Sequence, residues 1–125
     1  MNVDEKMRTP KQQRVLENQR RWRSHNRERA KFQQWAYELK KFYGITVQEY
    51  EQRLEEQDGR CAICLQLPPG GEHLCVDHDH DTNKVRGLLC RFCNLGIGMF
   101  NEDAGRLLSA ERYIQLHNKP QLVAA

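Results

Sequence analysis

Two cysteine pairs carry the strongest chemical signal in this chain. Cys61-Ala62-Ile63-Cys64 and Cys90-Arg91-Phe92-Cys93 each hold two thiols across a two-residue gap, with 25 residues between the pairs. Each pair presents two thiolates to one ion across a tight turn, and two pairs complete the tetrahedral four-sulfur set of structural zinc. A closed set of this kind keeps no open coordination position, so the ion holds structure and does no chemistry. The fifth cysteine, Cys75, lies between Leu74 and Val76 and reads as a small apolar strand residue.

The second signal sits between the pairs. The run His73-Leu74-Cys75-Val76-Asp77-His78-Asp79-His80-Asp81 packs three carboxylates and three imidazoles into a short stretch. Asp77 is a hard oxygen donor suited to Mg²⁺ or another divalent cation such as Mn²⁺. His78, next to it, is of the right basicity to take a proton from water near neutral pH. Adjacent side chains of a strand face opposite ways, so a strand carrying both must end or bend there if they share one site. His80 is placed to face a phosphate or its leaving oxygen. Asn94, directly after the last cysteine pair, either adds a second oxygen donor beside Asp77 or caps a helix that starts near Cys93 or Asn94. A competing reading makes the histidines transition-metal ligands of a binding module.

These residues need elements to hold them. Cys75-Val76 and Val85 to Leu89 read as short strands joined by the turn-forming Asp81-Thr82-Asn83-Lys84, a hairpin. Before them, Thr46 with Glu49 reads as a capping box that opens a helix from Val47 to about Gln57, with Tyr50 and Leu54 inward and Asp58-Gly59 as the closing turn. Residues 11–43 contain neither Pro nor Gly and predict a long helix stopped by Gly44. In its second half Phe32, Trp35, Leu39 and Phe42 recur at helical spacing, which predicts one buried face. Residues 104–117 predict a final helix with Ala104, Leu107, Leu108 and Ile114 on one side, stopped by Pro120. Residues 1–10 and 121–125 read as loosely attached ends.

Charge separates the chain into halves. Residues 1–60 hold 14 basic against 10 acidic side chains, and residues 20–41 hold 8 against 2. The formal net charge is +3 and the mean hydropathy −0.88, which excludes a membrane span and leaves little for a large core. A basic arm beside a near-neutral second half points to a polyanionic partner. Arg20, Arg21, Arg23 and Arg27 on the arm, and Lys84, Arg86 and Arg91 near the Asp-His cluster, are the candidate nucleic-acid-binding residues. The N-terminal residues show no apolar signal segment, so the expected location is the cytoplasm of a bacterium or a phage-infected host cell.

The run Cys-Ala-Ile-Cys, then Val-Asp-His-Asp-His-Asp, then Lys-Val-Arg-Gly-Leu-Leu-Cys-Arg-Phe-Cys-Asn resembles the endonuclease VII family of HNH, or His-Me finger, nucleases of phages and bacteria. The resemblance covers residues 60 to about 100. It implies a small α+β fold with a zinc-stabilised ββα-metal core, here with a long N-terminal helical extension and a C-terminal helix. It implies structural zinc on Cys61, Cys64, Cys90 and Cys93, a catalytic divalent cation on Asp77 and Asn94, His78 as general base, and His80 near the phosphate. The implied reaction is hydrolysis of a DNA phosphodiester to a 5′-phosphate and a 3′-hydroxyl, with nicking or branched-DNA-directed cleavage left open. DNA is the implied partner, a homodimer is compatible with the family, and a membrane is not. The corresponding division is 1–45 as the basic extension, 46–59 as a bracing helix and turn, 60–101 as the nuclease core, and 102–125 as the C-terminal helix and tail. A non-catalytic zinc-dependent DNA-binding module and a helical protein-interaction module are the two other classes the residues allow.

Overall fold

The computed structural model describes residues 8–118. Of the expected loose start at 1–10, residues 1–7 lie outside the described residues, as do the Pro120 stop and the tail 121–125, but Thr9 and Pro10 are not loose: they cap and open the first helix. The chain forms two compact units, Met1–Val47 and Gln48–Ala125. Among the described residues, no helix is long and apolar enough to cross a membrane.

The first unit is one long helix, α1 (Pro10–Glu38), that runs on into a π-helical turn at Leu39–Tyr43. Its start has a local cause that the sequence carries in plain form. Thr9 caps it reciprocally with Gln12, and Pro10 occupies the first helical position, where its missing N–H costs nothing. Gly44 ends it in the left-handed conformation at φ 68°, as its position foretold. No side chain of α1 is buried, and of the expected stripe only Leu39 is enclosed. Phe32 is 53% and Phe42 63% exposed. Phe32 sets its ring edge-on to Trp35 at 5.9 Å, and the wider π turn carries Phe42 off the line of the stripe.

The second unit takes up the chain within the first turn of α2 (Val47–Glu56), which starts immediately after Thr46. Asp58 and Gly59 both take positive φ, and the Gly59 N–H donates back to the Leu54 carbonyl at 2.8 Å, which closes the helix with the expected turn. β1 (Cys75–His78) and β2 (Val85–Leu89) pair antiparallel as a two-stranded ribbon. α3 (Arg91–Met99) follows β2 directly and packs on both strands, which completes the ββα unit. α4 (Ala104–His117) is capped by Asp103, whose Oδ1 accepts the Arg106 N–H at 2.9 Å. The architecture is a small α+β fold with a ββα core and a long N-terminal helix.

The core of this unit is thin: Tyr50, Cys61, Leu74, Val76, Leu88, Leu89 and Cys90. Tyr50 is its pivot. Its ring is 2% exposed and its hydroxyl donates to the Leu74 carbonyl at 2.8 Å, tying α2 to the strand that carries the Asp-His cluster. Leu54 is half-buried beside it. Gln57 ties α2 to the other strand: its Nε2 donates to the Leu88 carbonyl at 2.9 Å and its Oε1 accepts the Leu88 N–H at 3.0 Å. The predicted buried face of α4 is only partly realised. Leu107 is half-buried, but Ala104 is exposed and Leu108 and Ile114 stay 51% and 54% exposed, because among the described residues no other helix or strand packs broadly on this one.

Candidate active site and metal centre

The ligand atoms of Cys61, Cys64, Cys90 and Cys93 all lie within 4.8 Å of one another. Cys64 Sγ and Cys90 Sγ are 3.9 Å apart, close to the edge of about 3.8 Å that a tetrahedron with zinc–sulfur bonds of about 2.3 Å requires. Backbone donors already point at the sulfurs: the Ile63 N–H at Cys61 Sγ and the Cys93 N–H at Cys90 Sγ, each at 3.4 Å. Burial pushes the Cys61 thiol up, but hydrogen bonds from the backbone of Cys64, Cys90 and Ile63 outweigh it and hold the group at about 6. Burial, then the hydrogen bonds to its sulfur neighbours, pushes Cys93 up to about 12. Four sulfur donors gathered this closely fit a divalent ion, and the donor set is that of structural zinc. Cys75 stands apart on β1, its thiol raised by burial first and by the neighbouring Cys90 and Glu72 next.

The first helical turn after the second pair corrects one expectation. α3 begins at Arg91, not near Cys93 or Asn94, because Cys90 is itself the N-cap through its sulfur. Asn94 therefore does not cap; it sits one turn in, and its N–H donates to the Cys90 carbonyl at 3.0 Å. A zinc ligand fixes the start of the helix that carries Asn94, and that helix lies on both strands.

On the ribbon, Cys75 faces Leu89, Val76 faces Leu88, Asp77 faces Gly87 and His78 faces Val85. The register slips between Asp77 and His78, which leaves Arg86 as the extra residue of a bulge. Asp77 is 8% exposed. His78 is half-buried, with its ring centroid 4.9 Å from that of His80.

The three carboxylates of the cluster divide by role. Asp79 builds the turn: its Oδ1 accepts the Asp81 and Thr82 N–H groups at 2.8 and 3.0 Å, and these bonds, Thr82 first, hold its carboxyl below the usual range. Asp81 is exposed in the turn. Asp77 is gripped by Arg86, with Nε at 2.7 Å from Oδ2 and Nη2 at 3.0 Å from Oδ1. The same Nη2 lies 3.0 Å from Glu102 Oε1, and His80 Nε2 lies 3.2 Å from that oxygen. Hydrogen bonds to Asp77 first and Glu102 second raise the Arg86 guanidinium above its ordinary value.

Glu102 is the residue that sequence reasoning missed. It follows α3 in a turn where Asn101 and Glu102 both take positive φ, and no spacing motif links it to the hairpin. Of the candidate nucleic-acid-binding residues, Arg20, Arg21, Arg23, Arg27 and Lys84 are exposed. Arg91 pairs with Glu72 at 3.3 Å and covers the Phe92 ring, and Arg86 is committed to the two carboxylates.

Comparison with known proteins agrees with this arrangement. The chain is 42% identical over 89 residues to the Gene 59 protein of Mycobacterium phage D29, covering 71% of this chain and 53% of that protein. It is 50% identical over 60 residues to the Gene 59 protein of Mycobacterium phage L5, covering 48% of this chain and 37% of that one. The chain thus spans about half or less of the length of these relatives. No solved structure matches it. The profile of the family described as Recombination endonuclease VII matches residues 36–116, a span that takes in both cysteine pairs, the hairpin and α3. By that match, over most of its length, the chain belongs to the recombination endonuclease VII family.

Proposed function

We propose that this chain is a metal-dependent DNA endonuclease that hydrolyses phosphodiester bonds at the Asp77–His78 pair, where the register of the ribbon slips. The observation that carries the reading is the slip in the ribbon between these two residues, within a ββα unit pinned by the four-cysteine cluster. His78 takes the proton of the attacking water on a ring nitrogen. Asp77 and Asn94 offer hard oxygen donors, carboxylate and amide carbonyl, whose chemistry fits Mg²⁺ or Mn²⁺. Such a cation, when bound, supplies charge neutralisation at the scissile phosphate. His80, held by Glu102, lies beside His78 and faces the same substrate. The four-cysteine ion takes no part in the reaction. The exposed arginines of α1 draw DNA by its phosphates without reading bases.

The test is single-turnover cleavage of linear, supercoiled and branched DNA with and without Mg²⁺. His78→Ala is expected to lower the rate by about 10²- to 10⁴-fold, the usual worth of a positioned base, with zinc content and melting temperature preserved. A rate within about two-fold of the parent's would remove His78 from the mechanism, far short of what a positioned base supplies. DNA binding by the parent with no cleavage under any of these conditions would leave only a zinc-dependent binding module.

A further inference from the structure

Asp77 is the one buried charged residue among the described residues, and a single guanidinium occupies both its oxygens. An isolated buried carboxylate is costly, so the cation-free chain needs a positive charge at this point. Arg86 supplies it, and the bulge is why it can: the extra residue faces no counterpart across the ribbon. The arrangement carries a conflict. Arginine cannot discharge, so a divalent cation reaching for Asp77 meets a permanent positive charge already seated there. Glu102 offers the way out. Its Oε1 already touches Arg86 Nη2 at 3.0 Å, and its side chain is only 25% exposed, so the guanidinium has a second carboxylate within reach without leaving the cluster. The chain reaches this position through two consecutive left-handed residues, Asn101 at φ 53° and Glu102 at φ 56°, the first a type that tolerates the conformation and the second one that rarely adopts it.

From this geometry we infer that Arg86 is a displaceable counter-ion: it neutralises Asp77 in the cation-free chain and withdraws onto Glu102 when a divalent cation takes Asp77. Arg86 and Glu102 are then positioning residues that set how tightly the cation is held. The inference rests on the reading of Asp77 as a cation ligand.

The experiment is direct Mn²⁺ binding to the zinc-loaded full chain without DNA, followed by calorimetry and by the resonance signal of free Mn²⁺. The parent is expected to bind and Asp77→Asn to lose that binding. Arg86→Gln removes the competing charge and should bind several-fold tighter. Glu102→Gln removes the second seat and should bind several-fold more weakly. The double variant should match Arg86→Gln, because Glu102 acts only through Arg86; this non-additivity is what a shared network produces. Weaker or unchanged binding in Arg86→Gln overturns the inference, as does a parent that binds no Mn²⁺. A double variant that falls below Arg86→Gln by the full factor seen for Glu102→Gln also overturns it, since Glu102 would then act on the cation by itself. If Arg86→Gln does not fold, Glu102→Gln decides alone, and parent-like affinity there counts against the inference. Cleavage is measured on the same preparations. The expected binding pattern without DNA cleavage would defeat the nuclease reading and leave the counter-ion standing, whereas cleavage with additive shifts would defeat only the counter-ion.

Discussion

Asp77 and His78 are neighbours on one strand, and a regular strand would send them to opposite faces. The register of the ribbon slips between them and leaves Arg86 of β2 as an extra residue, which a residue count across the hairpin does not reveal, because a turn longer by one residue would close the same count. The residue types were legible, since Asp77, His78 and Asn94 stand out by chemistry alone. Glu102 was not, because its role depends on the chain after α3 returning to the hairpin, and no periodicity encodes that. Tyr50 allows a test at this scale. Burial first, then the nearby Cys75, pushes its hydroxyl up to about 12, and the proton it donates to the Leu74 carbonyl favours the same neutral form. The neutral phenol is favoured by folding, so its contribution is complete below pH 10 and is lost as pH rises towards 12. Tyr50→Phe should be less stable than the parent by about 1 kcal/mol at neutral pH, with a gap that narrows over that alkaline window. Urea unfolding of both proteins at neutral pH and across that window measures it, and a constant gap would contradict the assignment.

At the scale of elements, local rules located most of the helices and misplaced two features. The Gly44 stop, the start after Thr46, the Asp58-Gly59 turn and the final helix all follow from residues whose backbone preferences are strong. The start of α3 did not, because a cysteine is not read as a cap unless its sulfur is known to be fixed. The end of the α1 stripe did not either, because periodicity assumes an unbroken α-helix and a π turn intervenes at Leu39–Tyr43. Gln57 is the strongest link between α2 and β2 that the sequence does not mark, since it reads as a surface residue at a helix end. Leu88 is fully buried, so removing the Gln57 amide leaves its N–H without that acceptor. Gln57→Ala should lower stability by about 1–3 kcal/mol, the cost of an unsatisfied buried group. Gln57→Glu keeps the acceptor and should recover part of the loss, a difference visible in urea midpoints at unchanged slope.

The whole molecule is two units with different sources of order. In Gln48–Ala125 a thin core is supplemented by the four-cysteine site; in α1 not one side chain is buried. Chelation of zinc should therefore abolish the cooperative melt of the second unit while much of the far-ultraviolet helical signal persists. Retention of the full melt in metal-free protein would show that the core suffices alone. For the arm, neutralising Arg20, Arg21, Arg23 and Arg27 together should weaken binding to unrelated DNA sequences by similar factors. It should also flatten the dependence of log K on log salt by about 0.9 for each phosphate that is no longer neutralised. Identical slopes in a salt titration of parent and variant would leave α1 without a role in DNA attraction. The hold of Gln57 on Leu88 has a further consequence at this scale. A two-stranded ribbon exposes two unsatisfied borders, each a template on which another chain can add as an extra strand. Along β2 that template is already occupied at Leu88, whose carbonyl also accepts the Ala62 N–H at 3.1 Å. Gln57 and the Ala62 N–H together deny an incoming strand its partners at Leu88, and light scattering on concentrated Gln57→Ala is expected to show more association than the parent.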